Sequence, residues 1–427
     1  MGSWPTTGDG KRIDVSGRPS PAIIEHLRAL RCLVGVARHG STIAAAEAMH
    51  MSQPAVTRAV LDLEKRLQVR LFDRGARGML PTAPGMRAAQ RARVLLEHLS
   101  KGAHEAIATM PERERRAGGA DRFAAAVPPA SLKALLAVAQ LRSESRAARA
   151  LAISQPAVHR SLRALEHLCG ASLFQKSARG TRLTDAGEVL LRRTKLAFSE
   201  VRALEGDIAA WRGQLRGRVV VAALPLSVGM VLPQAVDAVL RRHPEMEIDI
   251  VDGTYESLLQ QLRSADVDLI VGALRPSSVF DDVRQELLFE DDLAVVASAG
   301  HPSLALPNPG LGDLLKWEWV VPLEGTPASA ALTNAFVEQG LAAPLGSLRA
   351  SSPAMTRALV LQTGRLAVAS RGQALEENHA GGILRIVPVP LPGTKRSIGV
   401  IVRGEGEPAP DLRALIDEML AVVKHTR

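Results

Sequence analysis

The pentapeptide Ser-Gln-Pro-Ala-Val occurs twice, at Ser52–Val56 and Ser154–Val158, an offset of 102 residues. Held at that offset, residues 30–85 align with 132–187 without a gap, and 23 of the 56 pairs are identical. Matched pairs include Leu33/Leu135, Ala46/Ala148, Arg58/Arg160, Glu64/Glu166, Phe72/Phe174, Arg77/Arg179 and Gly85/Gly187. Chance leaves only a few identities over such a length, so the N-terminal half is one module built twice.

Each copy reads as short helices followed by a wing. In copy one, Leu27, Leu30, Leu33, Val34 and Ala37 fall at helical spacing and form a core face. His39-Gly40-Ser41 ends that helix and starts a second, packed by Ala45, Ala46 and Met49. A tight turn at His50-Met51 leads to Ser52, an N-cap residue, with Pro54 tolerated in the first turn. Val56, Val60, Leu63 and Leu67 line the buried side of a third helix, which leaves Gln53, Ala55, Thr57 and Arg58 near its exposed N-terminal end. This is the order of a helix-turn-helix, whose second helix enters the major groove N-terminus first. Gln and Arg offer bidentate contacts to base edges, and Arg also suits phosphate. Arg70–Gly78, with Arg74 and Arg77, reads as a basic wing beside the DNA backbone. Taken alone, the pentapeptide is no more than a capped helix start. The surrounding helix, wing and closing Thr82…Gly85 carry the DNA-binding reading.

Charge divides the chain in the same sense. Residues 1–216 carry 35 basic and 19 acidic groups, whereas residues 217–427 carry 18 and 25. A basic half facing a polyanion and an acidic half with another task fit that asymmetry, as does a merely solvated basic surface. Aromatic residues make up 3% of the chain, too few for stacking on single-stranded bases. The two cysteines, Cys32 and Cys169, sit in apolar patterns without metal spacing and read as small buried hydrophobes, consistent with a reducing cytoplasm. The first 25 residues read as a mobile polar tail without a signal-peptide apolar region, and no membrane span is expected.

The run Ala45-Ala46…Ser52-Gln53-Pro54-Ala55-Val56-Thr57…Leu63-Glu64…Leu71-Phe72-Asp73-Arg74 resembles the winged helix-turn-helix of LysR-type transcriptional regulators. The resemblance spans residues 26–85 and recurs over 131–187, a duplication that departs from the family's usual single module. Copy two also departs in detail: Gly40 becomes Arg142, Thr57 becomes His159 and Arg74 becomes Lys176. Gln155, His159, Arg160, Lys176 and Arg179 either touch DNA as well or belong to a scaffold, a dimerisation unit or a decaying copy.

Residues 86–130 read as a linker helix followed by a charged, Gly-containing hinge over 111–122. After copy two, Leu190, Thr194, Ala197, Val201, Leu204, Ile208, Trp211 and Leu215 recur at alternating spacings of four and three. That heptad seam suggests a helix over 188–216 that pairs with another, or one packed on its own protein. The resemblance implies dimerisation here.

From Gly217 strand-like runs alternate with helix-like ones. Unbroken apolar strands between helices imply a parallel sheet covered on both faces. Two α/β lobes are expected, one from about 217–292 with 395–427, the other from about 293–394. Gly217-Arg218-Val219, Leu232-Pro233, His243-Pro244, Asp252-Gly253, Asp268-Leu269-Ile270 and His301-Pro302 resemble the LysR-type effector domain. The resemblance implies a periplasmic-binding-protein-like fold with a small organic effector between the lobes, such as an organic acid, an aromatic acid or a sugar. Strand-end loops supply candidates for that site: Pro225, Leu226 and Ser227; Gly272 and Arg275; Thr326; Ser351 and Ser352. Helix capping is the plain alternative for each hydroxyl, and a surface ion pair for Arg275.

There is no Gly-x-Ser-x-Gly elbow, Walker loop, GxGxxG after a strand, or HExxH. The paired acids Asp281-Asp282 and Asp291-Asp292 read as solvated loop ends rather than a general acid/base pair. The expectation is a multidomain regulator without enzyme activity, metal or cofactor. It would bind double-stranded DNA through winged helix-turn-helix modules, answer to an effector, and act as a homodimer or homotetramer. A low-specificity nucleoid-type DNA binder with a vestigial sensor is the rival reading.

Overall fold

The computed structural model describes residues 22–75, 78–111, 119–177, 180–225, 229, 231–275, 282–344, 348–379, 381–404 and 406–426. Of the expected tail over residues 1–25, residues 1–21 lie outside them, as does most of the expected hinge, residues 112–118. Residues 22–25 are not tail: they belong to a short 3-10 helix, Ala22–His26, because Ile23 and Ile24 are apolar enough to be buried in the core. The chain divides into two compact units. One is Met1–Arg218 with Ser264–Asp266 and Gly406–Asp411; the other is Val219–Arg263, Val267–Glu405 and Leu412–Arg427.

In the first unit, copy one comprises α1 (Leu27–His39), α2 (Thr42–Ala48), α3 (Gln53–Leu67) and a two-stranded wing, β1 (Phe72–Gly75) and β2 (Gly78–Pro81). The long helix α4 (Ala83–Ala108) follows, then the short α5 (Gly119–Ala126). Copy two repeats the plan as α6 (Pro129–Leu141), α7 (Glu144–Leu151), α8 (Gln155–Cys169), β3 (Phe174–Ser177), β4 (Gly180–Leu183) and the long α9 (Asp185–Trp211).

The identical pairs of the repeat are those that fix the local geometry. Glu64 accepts from the backbone N–H of Leu71 at 2.7 Å and Phe72 at 3.2 Å, and Glu166 does the same for Leu173 and Phe174 at 2.9 and 3.4 Å. Each carboxylate thus ties its third helix to the wing. Thr82 caps α4 through Gly85 N–H and Thr184 caps α9 through Gly187 N–H, both at 3.1 Å. A Cβ on Gly85 would lie 1.8 Å from Leu71 O, and on Gly187 2.1 Å from Leu173 O, so only glycine fits either place. The copies diverge at the end of their first helix. Gly40 closes α1 at φ 66°, whereas Arg142 closes α6 at φ 51°, a left-handed conformation that glycine adopts without the cost a side chain incurs.

One apolar core runs through both copies and both long helices. It joins Leu30 and Leu33 of α1, Leu95 and Leu99 of α4, Phe123 of α5, Leu132 and Leu135 of α6, and Phe198, Val201 and Leu204 of α9, all buried. The seam of α9 is buried from Leu190 to Ile208 and packs on α4 of the same chain. It stops there: Trp211 is 60% exposed and Leu215 lies beyond the helix end. Within the seam Thr194 is fully buried and its hydroxyl has no hydrogen-bond partner. Burying an unpaired hydroxyl costs about 1–3 kcal/mol. Thr194→Val keeps the shape and removes the polar atom. It is expected to raise the unfolding free energy by about 1 kcal/mol, read from the urea midpoint, and a loss of stability would contradict this account of the seam.

The second unit holds two five-stranded sheets. Its elements in chain order are β5 (Gly217–Ala223), α10 (Leu232–Arg242), β6 (Met246–Asp252), α11 (Tyr255–Arg263), β7 (Leu269–Ala273), β8 (Val283–Asp291), β9 (Leu293–Ser298), β10 (Trp319–Val321), α12 (Pro327–Val337), β11 (Leu348–Arg349), α13 (Pro353–Thr363), β12 (Leu366–Ser370), α14 (Arg371–His379), β13 (Leu384–Ile386), β14 (Arg396–Arg403) and α15 (Pro410–Thr426). One sheet has strand order β6-β5-β7-β14-β8 and the other β11-β10-β12-β9-β13. The sheets are mixed rather than parallel. β5 runs parallel to β7, and β10 to β11 and β12, but β14 is antiparallel to β7 and β8, and β9 to β12 and β13. The chain leaves the first sheet along β8, crosses into the second, and returns along β14.

Both crossings are pinned at one point. Asp291 ends β8 and Arg396 starts β14; their side chains are each 6% exposed and meet at 2.7 Å. Gly372 N–H donates to the other Asp291 oxygen at 3.2 Å, and Arg371 N–H donates to Asp292 O at 2.8 Å. Asp291 is therefore not the solvated loop end that its sequence context suggests; burial among strand ends leaves it an arginine as partner, and only Asp292 is exposed. Asp291→Ala removes the buried ion-pair partner of Arg396 and is expected to destabilise this unit by about 3–5 kcal/mol, seen by calorimetry, whereas a change under about 1 kcal/mol would show that the pair does not hold the crossing.

Among the described residues no single helix is long and apolar enough to cross a membrane.

Candidate DNA interface and effector site

The third helix of each copy presents the expected reading residues at its N-terminal end. Ser52, Gln53, Pro54 and Arg58 are exposed on α3, and Ala55 and Thr57 are half-buried. Ser52 takes the N-cap backbone position, but its hydroxyl makes no capping hydrogen bond, unlike Ser154, which accepts from Ala157 N–H at 3.4 Å. The Ser52 hydroxyl is thus spare; the turn before the third helix is left-handed in both copies, at His50 with φ 51° and Ala152 with φ 55°. Thr57 departs from its expected exposed role, because its hydroxyl is buried and has no hydrogen-bond partner. Gln53 and Arg58 carry no hydrogen bond or ion pair to other described residues and face solvent. Arg74 lies on β1 opposite Met79, but its side chain, like Arg77 and Arg179, lies outside the described residues.

Copy two presents the same helix with its side chains already engaged. Gln155 accepts from the Ser145 hydroxyl at 2.9 Å, and His159 Nδ1 lies 3.2 Å from a Glu144 oxygen. Ser145 and Glu144 belong to α7, where copy one has Ile43 and Thr42. Arg160 and Lys176 stay exposed. A carboxylate beside the third helix would repel phosphate, and copy one has none at this position. The aligned pair Thr42/Glu144 carries this signal, on the helix before the one that carries the DNA-binding reading.

Both cysteines are buried, and burial pushes the Cys169 thiol up to about 11 and raises Cys32 as well, which leaves them packing atoms rather than nucleophiles. Among the described residues no group of three or more His, Cys, Asp or Glu could hold a metal ion.

In the second unit, Arg275 emerges from the end of β7 and reaches the other lobe. Its Nη1 donates to Gly325 O at 3.4 Å, and its guanidinium carbon lies 4.4 Å from the Tyr255 ring centroid. Gln285 clamps the backbone below it, accepting from Arg275 N–H at 3.1 Å and donating to Arg275 O at 2.9 Å. Nε of Arg275 is buried and has no hydrogen-bond partner. Burial raises the Tyr255 hydroxyl above its ordinary pKa, with Arg275 opposing. Tyr255, the chain's single tyrosine, is absent from the sequence candidates; its place at the start of α11 marks a helix end, and nothing in the sequence ties it to Arg275.

The remaining candidates divide. Thr326 caps α12 by accepting from Ser329 N–H at 3.2 Å, and Ser352 caps α13 by accepting from Met355 N–H at 3.3 Å. Ser351 is exposed beside Ser352, and Pro225 is half-buried in the turn after β5. Gly272 sits inside β7 opposite Gly399, where a Cβ would lie 2.5 Å from the Leu224 side chain, so packing accounts for this glycine. Leu226 and Ser227 lie outside the described residues.

A family model for the LysR substrate binding domain matches residues 212–424. The model for the bacterial regulatory helix-turn-helix protein, lysR family, matches twice, at residues 27–86 and 129–188. The HTH-type transcriptional regulator GalR of Pseudomonas putida is 34% identical over 380 residues, covering 89% of this chain and 93% of that protein. The chain belongs to the LysR family. The HTH-type transcriptional regulator PcaQ of Agrobacterium fabrum is 30% identical over 288 residues, 67% of this chain and 91% of that protein. Among solved structures, a full-length OxyR variant from Pseudomonas aeruginosa is similar with a TM-score of 0.53 at 23% identity. CbnR, a LysR family transcriptional regulator, follows at 0.50 and 20%. Both likenesses bear on the fold, and both leave the duplication visible: 94% and 98% of those chains are matched, but only 69% of this one.

This LysR-family chain is thus a transcription regulator with DNA-binding helix-turn-helix modules and a two-lobed effector-binding domain. Replacing Glu144 with the copy-one residue, Glu144→Thr, is expected to tighten DNA binding about threefold to tenfold at low salt, in line with removing one repulsive charge beside phosphate. Fluorescence anisotropy on a bound duplex measures it, and unchanged affinity would place Glu144 away from the DNA.

Proposed function

We propose that Gln53 and Arg58 of α3 read base edges, with Ser52 on phosphate, and that the controlling effector is a small organic acid whose carboxylate meets Arg275 between the lobes. The observation that carries the effector assignment is the state of Arg275. It crosses from one lobe to the other for a single long hydrogen bond and keeps a buried Nε without a partner. A guanidinium offers a planar fork matched to a carboxylate, and a bound anion would satisfy the unpaired donor. Tyr255 stacked against Arg275 fits an effector with an aromatic or other flat body.

Thr326 and Ser352 contribute through the helices they cap: the N-termini of α12 and α13 would favour an anion near their free backbone N–H groups. Ser351 lies beside the cap of α13, and Pro225, Leu226 and Ser227 extend the proposal along the segment after β5. For control, the effector must bind two lobe arrangements with different affinity, and the Asp291–Arg396 crossing is where the lobes would turn. Homodimers or homotetramers formed through the effector-binding unit would carry that change to DNA.

A panel of small carboxylic acids tested by thermal shift on the full chain checks this reading. At least one acid is expected to raise the midpoint of wild type and to change its DNA affinity. Arg275→Gln should weaken that acid at least about tenfold, consistent with loss of a charge-assisted pair of about 1.5–3 kcal/mol. A neutral ligand that acts equally on wild type and Arg275→Gln would contradict it.

A further inference from the structure

Contacts between α4 and α9 occur in exchanged pairs. Arg91 and Arg193 stand 102 residues apart, the period of the repeat, as do Glu105 and Asp207. Arg91 Nε donates to Asp207 at 2.8 Å, and Arg193 Nε donates to Glu105 at 2.9 Å. Arg91 also meets Glu200 at 3.3 Å, and Arg193 meets His98 Nδ1 at 3.4 Å; His98 and Glu200 are again 102 apart. Each contact is therefore made twice with the roles of the copies reversed. A two-fold relation between the copies generates that pattern, whereas simple stacking of one repeat on the next does not. The order along the helices agrees: residue 91 meets 207 while 105 meets 193, so α4 and α9 run antiparallel.

Both copies contribute to one shared core. Two helix-turn-helix modules related by a two-fold axis present their third helices equivalently, which is how two-fold proteins meet two half-sites on a duplex. Here both halves come from one chain, and their reading surfaces differ. Copy one offers Gln53 and Arg58 beside Thr42; copy two offers Gln155, His159 and Arg160 beside Glu144.

We propose that a single chain is a complete two-half-site clamp for double-stranded DNA, and that its site is made of two unequal half-sites bound in one fixed orientation. This rests on the reading that the third helices contact bases, and extends it to copy two. Where two identical subunits meet a palindrome, binding has no direction. A clamp with two different halves fixes which way each chain lies along the duplex.

The test is selection of sites from random duplex by the full chain, followed by footprinting of the selected element with Gln53→Ala/Arg58→Ala and Gln155→Ala/Arg160→Ala. All four side chains are exposed, and unchanged circular dichroism melts would verify folding. The expected result is an element with two different halves, the first variant losing protection over one half and the second over the other. A palindromic element whose halves both depend on Gln53 and Arg58, with the copy-two variant indistinguishable from wild type, would overturn the proposal. Failure of wild type to enrich any element would overturn the base-reading assignment beneath it, and the proposal with it.

Discussion

The antiparallel pairing of α4 with α9 is the constraint on which the N-terminal half depends. A three-helix module with a wing has too little interior to bury its own faces well, and the long helix after it exposes an apolar stripe. In this chain the two stripes cover each other. Leu95 and Leu99 on one side and Ala197, Val201 and Leu204 on the other reach near-zero exposure, and the core continues without a break into α1 and α6. Burial stabilises by about 25 cal/mol per Å² of apolar surface, so that interface adds to what either copy's own interior supplies. The paired ions at its two ends, Arg91–Asp207 and Arg193–Glu105, fix register more than they add stability. Because the interface is intramolecular, its formation carries no cost of bringing two chains together.

The effector-binding unit depends on a different constraint, the double passage of the chain between two sheets. A buried aspartate–arginine pair ties the two passages together, because separating buried partners is costly. Thr394 supports the same point by accepting from Leu293 N–H at 3.3 Å. Arg275 lies at the opposite extreme: half-exposed, held at its backbone by Gln285, and in reach of the other lobe. A crossing pinned by a buried pair and an arginine donor left without a partner fit the ligand-closed domain proposed above.

Much of this is legible in the sequence. The repeat identifies the duplicated module, and the matched pairs Glu64/Glu166, Thr82/Thr184 and Gly85/Gly187 correspond to bonds and close approaches that hold wing to helix. The seam of α9 announces a partner, but a heptad pattern records only that an apolar stripe is covered, not by which chain. β8 escapes a sequence reading because Val-Arg-Gln-Glu-Leu-Leu-Phe-Glu-Asp alternates poorly; it is an edge strand whose first half is solvent-facing, so no apolar run marks it. Mixed strand direction is invisible for a related reason: apolar strands between helices look alike whichever way they run. The burial of Asp291 and the meeting of Tyr255 with Arg275 are products of tertiary placement, with no local pattern to reveal them.

α4 and α9 pair within one chain. The Cβ of a residue at position 102 would lie 2.8 Å from Arg193 Cβ, close enough that a small local shift gives the roughly 3.5–4.5 Å of a disulfide. Oxidation of the full chain carrying Gly102→Cys and Arg193→Cys, followed by intact-mass analysis without reductant, tests the claim directly. The account predicts a disulfide closed inside a single chain, at the mass of one chain whatever the protein concentration. A disulfide joining two chains would show that the long helices pair between subunits and would contradict it.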